Sequence, residues 1–268
     1  MGIDMSKFGK KHAFKPAVKP TEPKKTSDIP VSSYGLSSKQ RVKTDAVPKI
    51  NPTFDIRTMT HAERVLFANG PEVAVMMGDT KLAMLAKYVL MQCSAKAYRH
   101  FTENPNATTM TFKADSMDMD AAKAHLQWMD EMTFQGRVYS LTLHGDEKND
   151  VKNLNICRAA RVLGMNNIYV GHFTRTFCDR IRSQKASPAF ISLVADLAYP
   201  ENDPIFECLA NNLVNMRVRS AMPKGLEALL EKHAHLRGKM EKIEKRMMDK
   251  RRAEPKKVEG VRKPIVTN

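Results

Sequence analysis

The chain has 268 residues, 42% of them hydrophobic, and a formal net charge of +15, which suits one sizeable core with appendages or two small domains. No window approaches the roughly 18 unbroken apolar residues of a membrane-spanning helix. Lys7, Lys10, Lys11 and Lys15 interrupt the stretch where a secretory signal would lie, so a soluble, intracellular protein is expected, nuclear or cytoplasmic.

The charge is unevenly placed. Residues 1–50 hold eleven Lys/Arg against four Asp/Glu, and residues 239–268 hold eleven against five, so the two arms carry +7 and +6 and leave +2 on 51–238. A nearly neutral body with basic arms suits loose, salt-sensitive contact with polyanions better than a shaped nucleic-acid groove. The cysteines, Cys93, Cys157, Cys178 and Cys208, lack metal-ligand spacing and read as buried thiols of a reducing compartment. Neither a metal nor another cofactor is expected.

Residues 1–50 are broken by Pro16, Pro20, Pro23, Pro30 and Pro48 and have too little apolar material to offset ordering entropy, which predicts a disordered basic arm. Its start, Met1 to Ser6, fits the N-myristoylation pattern with Gly2 as acceptor, and the lysines behind it would be the polybasic second signal. Membrane contact is expected only if Gly2 is acylated; otherwise this is an ordinary disordered start.

The globular part is read as 51–183. Thr60-His-Ala-Glu63 is a capping box for a short helix carrying Val65, Leu66 and Phe67, stopped at Asn69-Gly70. Val73, Val75 and Met77 alternate, Gly78-Asp79 supplies a two-residue turn, and Leu82 and Met84 resume the alternation, which predicts a β-hairpin. Tyr88, Val89, Met91 and Gln92 follow at helical spacing. Ser94 then caps a second helix with Ala97, Tyr98 and Phe101, ended by Asn104-Pro105-Asn106.

A strand is expected at Thr108–Phe112 and a helix from Ala121 to Met132 bearing Trp128, the only tryptophan, as a core or interface anchor. His144-Gly-Asp-Glu lies in a polar loop with no partner nucleophile and is not read as an acid/base site. Leu154, Cys157, Ala160, Val162 and Leu163 mark the next helix, ended by Gly164, and Val170, Phe173, Phe177 and Ile181 another. Arg158, Arg161, Arg175, Arg180 and Arg182 along these two helices form either a basic face or a solvated one.

Pro71-Glu-Val-Ala-Val-Met-Met-Gly-Asp, then Lys87-Tyr-Val-Leu-Met-Gln-Cys-Ser-Ala-Lys-Ala-Tyr-Arg-His-Phe, then Thr108-Thr-Met-Thr-Phe, resembles the first half of a BTB/POZ domain. The helix from Ala121 and the stretch Leu154-Asn-Ile-Cys-Arg-Ala-Ala-Arg-Val-Leu-Gly-Met-Asn-Asn-Ile are similar to the second half, so the likeness covers about residues 72–183. It implies an α+β fold, a small sheet flanked by helices, and non-enzymatic self-association, with the 60–68 helix reaching a partner subunit or packing on its own domain. Recruitment of a cullin-type ubiquitin ligase follows by family analogy alone.

Residues 184–221 read as a helical extension: Phe190, Ile191, Val194 and Leu197, then Asp203 as cap with Pro204 at the first turn, then Ile205, Cys208, Leu209, Leu213 and Met216. Over 222–252, Met222, Leu226, Leu229, His233, Leu236, Met240, Ile243 and Met247 keep a strict heptad spacing. This long C-terminal helix is either a coiled-coil seam with Leu226, Leu229, Leu236, Met240 and Ile243 as oligomer contacts, or an amphipathic helix lying on the domain. Lys250, Arg251, Arg252, Lys256 and Lys257, which run into a basic disordered tail over 253–268, read as a nuclear-import cluster or a solvated tail.

No phosphate-binding loop, nucleophile elbow, H-e-x-x-H or dinucleotide fingerprint occurs. The sequence therefore leads to a non-enzymatic scaffold or adaptor with protein partners, expected to form a homo-oligomer. The alternative is a nucleic-acid- or chromatin-associated protein that binds weakly through its basic arms.

Overall fold

A computed structural model of the chain describes residues 46–183, 186–198, 203–222 and 225–253. Residues 1–45 of the arm expected over 1–50, the acylation site at Gly2, Pro223, and Lys256 and Lys257 in the tail lie outside the described residues.

Helix α1 (His61–Leu66) begins with the expected capping box: Glu63 accepts the Thr60 amide at 2.7 Å while Thr60 Oγ1 accepts the Glu63 amide at 3.3 Å. Strands β1 (Glu72–Met77) and β2 (Thr80–Ala86) form the hairpin, its turn opened by Gly78 at φ 55°, which a side chain would strain. Helices α2 (Lys87–Cys93) and α3 (Ala95–Glu103) lead to β3 (Thr109–Phe112). The order in the sheet is β2-β1-β3, with β1 antiparallel to β2 and parallel to β3. A parallel neighbour needs a crossover, and the α2–α3 pair supplies it.

One strand differs from expectation. In a regular hairpin turned at 78–79, Leu82 and Met84 would oppose Val75 and Val73 and share the core face. The pairing instead slips between Val75 and Met76, leaving Leu82 as the extra residue of a bulge, so Ala83 and Leu85 oppose Val75 and Val73. Leu85 is buried and Met84 turns outward.

Helix α4 (Met119–Glu131) packs on β2, and α5 (Asp150–Leu163) packs on α4. Gly164 ends α5 in the left-handed region at φ 72°, the conformation that favours glycine at a helix C-terminus. Ser94 joins the halves: its hydroxyl donates to Leu163 O at 2.6 Å and accepts the Ala97 amide at 3.0 Å. Helix α6 (Asn167–Arg182) follows, and Val73, Leu90, Leu126, Trp128, Met129, Leu163 and Phe173 belong to one buried cluster.

The extension comprises α7 (Pro188–Leu197), α8 (Pro204–Val218), α9 (Leu226–Lys232) and α10 (Ala234–Ala253). Helix α8 packs against both α6 and α10. The sequence-predicted single helix over 222–252 is broken at His233, and its seam is consumed at home: Leu226, Leu236, Met240 and Ile243 are buried in the chain's own core, with Leu229 packed against it. Buried there, these residues do not line a coiled coil; the apolar stripe lies on the domain, but on two helices where a single amphipathic one was expected. Phe67 is likewise buried and is withdrawn as an oligomer contact, whereas Val65 and Leu66 remain half-exposed. The architecture is α+β, a small three-stranded sheet within a largely helical body.

Candidate protein interface

The surface around α1 is assembled from three segments, and buried polar side chains fix each of them. Residues 46–59 run in extended and turn conformation over α2 and α6, where their backbone groups need partners. Gln92, fully buried, accepts the Asn51 amide at 2.9 Å and donates to Asn51 O at 2.7 Å and Phe54 O at 2.8 Å. Tyr169 donates its hydroxyl to Phe54 O at 3.2 Å and accepts the Ile56 amide at 3.1 Å. Burial pushes this phenol well above its ordinary pKa, keeping it a neutral donor.

The loop that follows α4 is the second segment, and Arg64 holds it. Its guanidinium is 1% exposed and donates to Met132 O at 2.6 Å, Gln135 O at 3.0 Å and Gly136 O at 3.2 Å. These carbonyls lie at and just beyond the C-terminus of α4, where acceptors lack helical partners and the helix dipole favours a cation. His61 adds a hydrogen bond to Phe134 O at 3.2 Å, and Trp128 Nε1 donates to Tyr139 O at 2.8 Å. The start of α6 is the third segment, tied in by Arg57, which donates to Ile168 O at 2.7 Å and to Ser140 Oγ while paired with Asp55 at 2.8 Å.

On this fixed backbone stand apolar side chains that the fold does not cover. Phe134 is 56% exposed, Phe54 51%, Val138 43% and Ile168 40%. Tyr139 is also exposed, its hydroxyl donated to the Glu131 carboxylate, and Val65 and Leu66 are half-exposed on adjoining α1. Singly such residues are ordinary, but several on segments whose backbones are each pinned by hydrogen bonds suit a contact surface.

A second constellation looks catalytic in connectivity. His233 Nε2 lies 2.7 Å from Ser192 Oγ, and its Nδ1 lies 3.3 Å from Asp196 Oδ1. Ser192 sits inside α7, where backbone amides are consumed by the helix, so no amide pair faces its hydroxyl as an oxyanion hole would require. The arrangement instead staples the α9–α10 junction to α7. His235 Nε2 bonds to Ala195 O at 2.6 Å with its ring stacked on Phe206, Arg217 reaches Glu227 at 3.2 Å and Glu244 at 3.0 Å, and Lys239 pairs with Glu207.

Of the remaining predicted positions, Lys250, Arg251 and Arg252 are exposed in the last turn of α10. Of the five arginines along α5 and α6, Arg175 is exposed, and the other four are engaged locally rather than forming a basic face: Arg158 bonds Ser116 O, Arg161 bonds Asn167 and Thr174, Arg180 pairs with Asp150 and Glu147, and Arg182 with Asp179. Cys93, Cys157 and Cys178 are buried as expected, whereas Cys208 is only half-buried, and burial pushes the first two thiols up to about 12. Among the described residues no cluster of three or more His, Cys, Asp or Glu is placed to hold a metal, and no helix is long and apolar enough to cross a membrane.

Sequence reasoning found α1 but missed Phe134, Val138, Tyr139 and Ile168, as well as Phe54. The first three fall in a loop without periodicity, and Ile168 lies in the first turn of a helix; nothing local marks them as exposed. Comparison of the chain with models of known families, with curated proteins and with solved structures found no match.

Proposed function

We propose that this chain is a non-enzymatic protein–protein interaction module on a BTB/POZ-like scaffold, which self-associates through the surface formed by α1, the 133–140 loop and the start of α6. The carrying observation is the set Phe54, Phe134, Val138, Tyr139 and Ile168, apolar side chains left exposed on a backbone pinned by Arg57, His61 and Arg64. A preorganised apolar patch loses little entropy on binding. A second copy supplies the matching patch, because a two-fold contact is self-complementary. The order hairpin, helix pair, parallel third strand, helix, paired helices also supports the scaffold the resemblance implies.

The test is the solution mass of the full chain by light scattering across about a hundredfold concentration range, beside the double variant Phe134→Asp/Val138→Asp. The expected outcome is a dimer that becomes a monomer in the variant with an unchanged melting temperature. A dimer indifferent to the substitutions, or a wild-type monomer throughout, refutes this reading.

A further inference from the structure

Some cations of the body and of the first turns of α10 have partners, but from Lys242 to Arg252 none does among the described residues. Arg57, Arg180, Arg217 and Lys239 face carboxylates, while Arg64 and Lys87 donate to backbone carbonyls. In contrast, Lys242, Lys245, Arg246, Lys250, Arg251 and Arg252 are exposed and make no hydrogen bond or ion pair among the described residues.

Their placement on the helix decides what they present. Successive residues of an α-helix are about 100° apart, so Leu236, Met240, Ile243 and Met247, which dock α10 on the body, fall within roughly 60° of arc. Lys242, Lys245 and Arg246 centre roughly 140° from that stripe, with Lys250 and Arg252 flanking them. The nearby carboxylates are Glu241 and Asp249, so the outward face stays positive. It extends from Lys242 to Arg252, about 15 Å of helix.

We infer that this outward face of α10 binds the phosphate backbone of duplex nucleic acid. An anionic lipid surface fits less well, since an interfacial helix inserts its apolar face among the acyl chains, and here that face is already buried in the protein. What remains is a row of cations beside a single exposed apolar side chain, Met248, too little to insert as an interfacial helix does, which matches a polyanion read by charge alone. The contact is sequence-independent, and it does not rest on the self-association proposed above.

The experiment measures binding of the full chain to a fluorescent 24-base-pair duplex of arbitrary sequence by anisotropy over a series of potassium chloride concentrations. Five engaged cations give a slope of log affinity against log salt of about −4 to −5. The full-chain variant Lys242→Glu/Lys245→Glu/Arg246→Glu is expected to bind at least about tenfold more weakly, with the slope reduced in magnitude by about 3. The corresponding triple alanine variant should change both in the same direction by a smaller amount, and its melting temperature shows that the fold is intact.

Three outcomes overturn the inference. One is absence of duplex binding at low salt. Another is binding whose strength and slope survive both triple variants, which moves the contact to the basic segments outside α10. The third is tighter binding to vesicles of phosphatidylcholine and phosphatidylserine than to the duplex at equal salt.

Discussion

The sheet-bearing body, up to Ser183, and the helical extension, from Ala186 onward, are held by different chemistry. In the body, strands and helices share one apolar cluster, and its buried polar groups, Gln92, Ser94 and Arg64, spend their hydrogen bonds on backbone carbonyls and amides. In α9 and α10 a thin stripe of Leu226, Leu230, Leu236, Met240 and Ile243 is buried, and around it stand ion pairs and histidines at the rim: Arg217 with Glu227 and Glu244, Lys239 with Glu207, His233 with Asp196. Exposed pairs contribute about 0–1 kcal/mol each and weaken with salt. The body is therefore expected to be the cooperative unit, with α9 and α10, though they share its apolar cluster, the layer expected to open first.

The sharpest break of that comparison is a cavity in the body. Phe173 is fully buried, and Phe173→Ala should cost about 4 kcal/mol, read as a large fall in the urea midpoint that takes the extension with it. Loss of the extension alone would contradict a single cooperative body.

Acid should act on the body next. His125 is fully buried with Nε2 bonded to Ile156 O at 2.8 Å and Nδ1 unpartnered, and burial pulls its pKa down to about 4. An unfolded chain takes up this proton as pH falls below about 6.5, whereas the folded one resists until about 4. The contribution is thus complete above about pH 6.5 and is lost toward pH 4, by about 3 kcal/mol in all. Urea midpoints at pH 7 and 4.5 should fall together less in His125→Gln than in the wild type; equal falls would assign the acid sensitivity elsewhere.

The smallest change belongs to the extension. Leu236→Ala removes a fully buried side chain of α10 at about 2–3 kcal/mol. Hydrogen exchange should quicken over 226–253 and stay unchanged over 72–183. Acceleration of both regions alike would show one cooperative unit instead of two.

Much of the body was legible because its signals are local. The capping box at Thr60 and Glu63, the Gly78 turn, the Ser94 cap and Gly164 each act through neighbours in sequence, and each is found where periodicity placed it. The fate of the heptad seam was not legible, since one stripe serves equally for a partner helix or for the chain's own α8. At the break, His233 meets Ser192 and Asp196, some 40 residues away in sequence. The candidate interface was readable at Val65 and Leu66 alone; Phe134 and Val138 count as exposed because Arg64 and His61 hold their loop from across the chain.

The bulge at Leu82 bears on how this chain can change length. Pairing is regular on both sides of it, Glu72 to Val75 against Ala86 to Ala83 and Met76 to Met77 against Lys81 to Thr80. Leu82 is thus a supernumerary residue, and loss of any one residue from Leu82 to Leu85 can be absorbed by closing the bulge, since Lys81 then stays opposite Met76 and Ala86 opposite Glu72. A gene library of single-codon deletions across 80–86 is expected to find its survivors among codons 82–85, where a loss closes the bulge and leaves a regular hairpin.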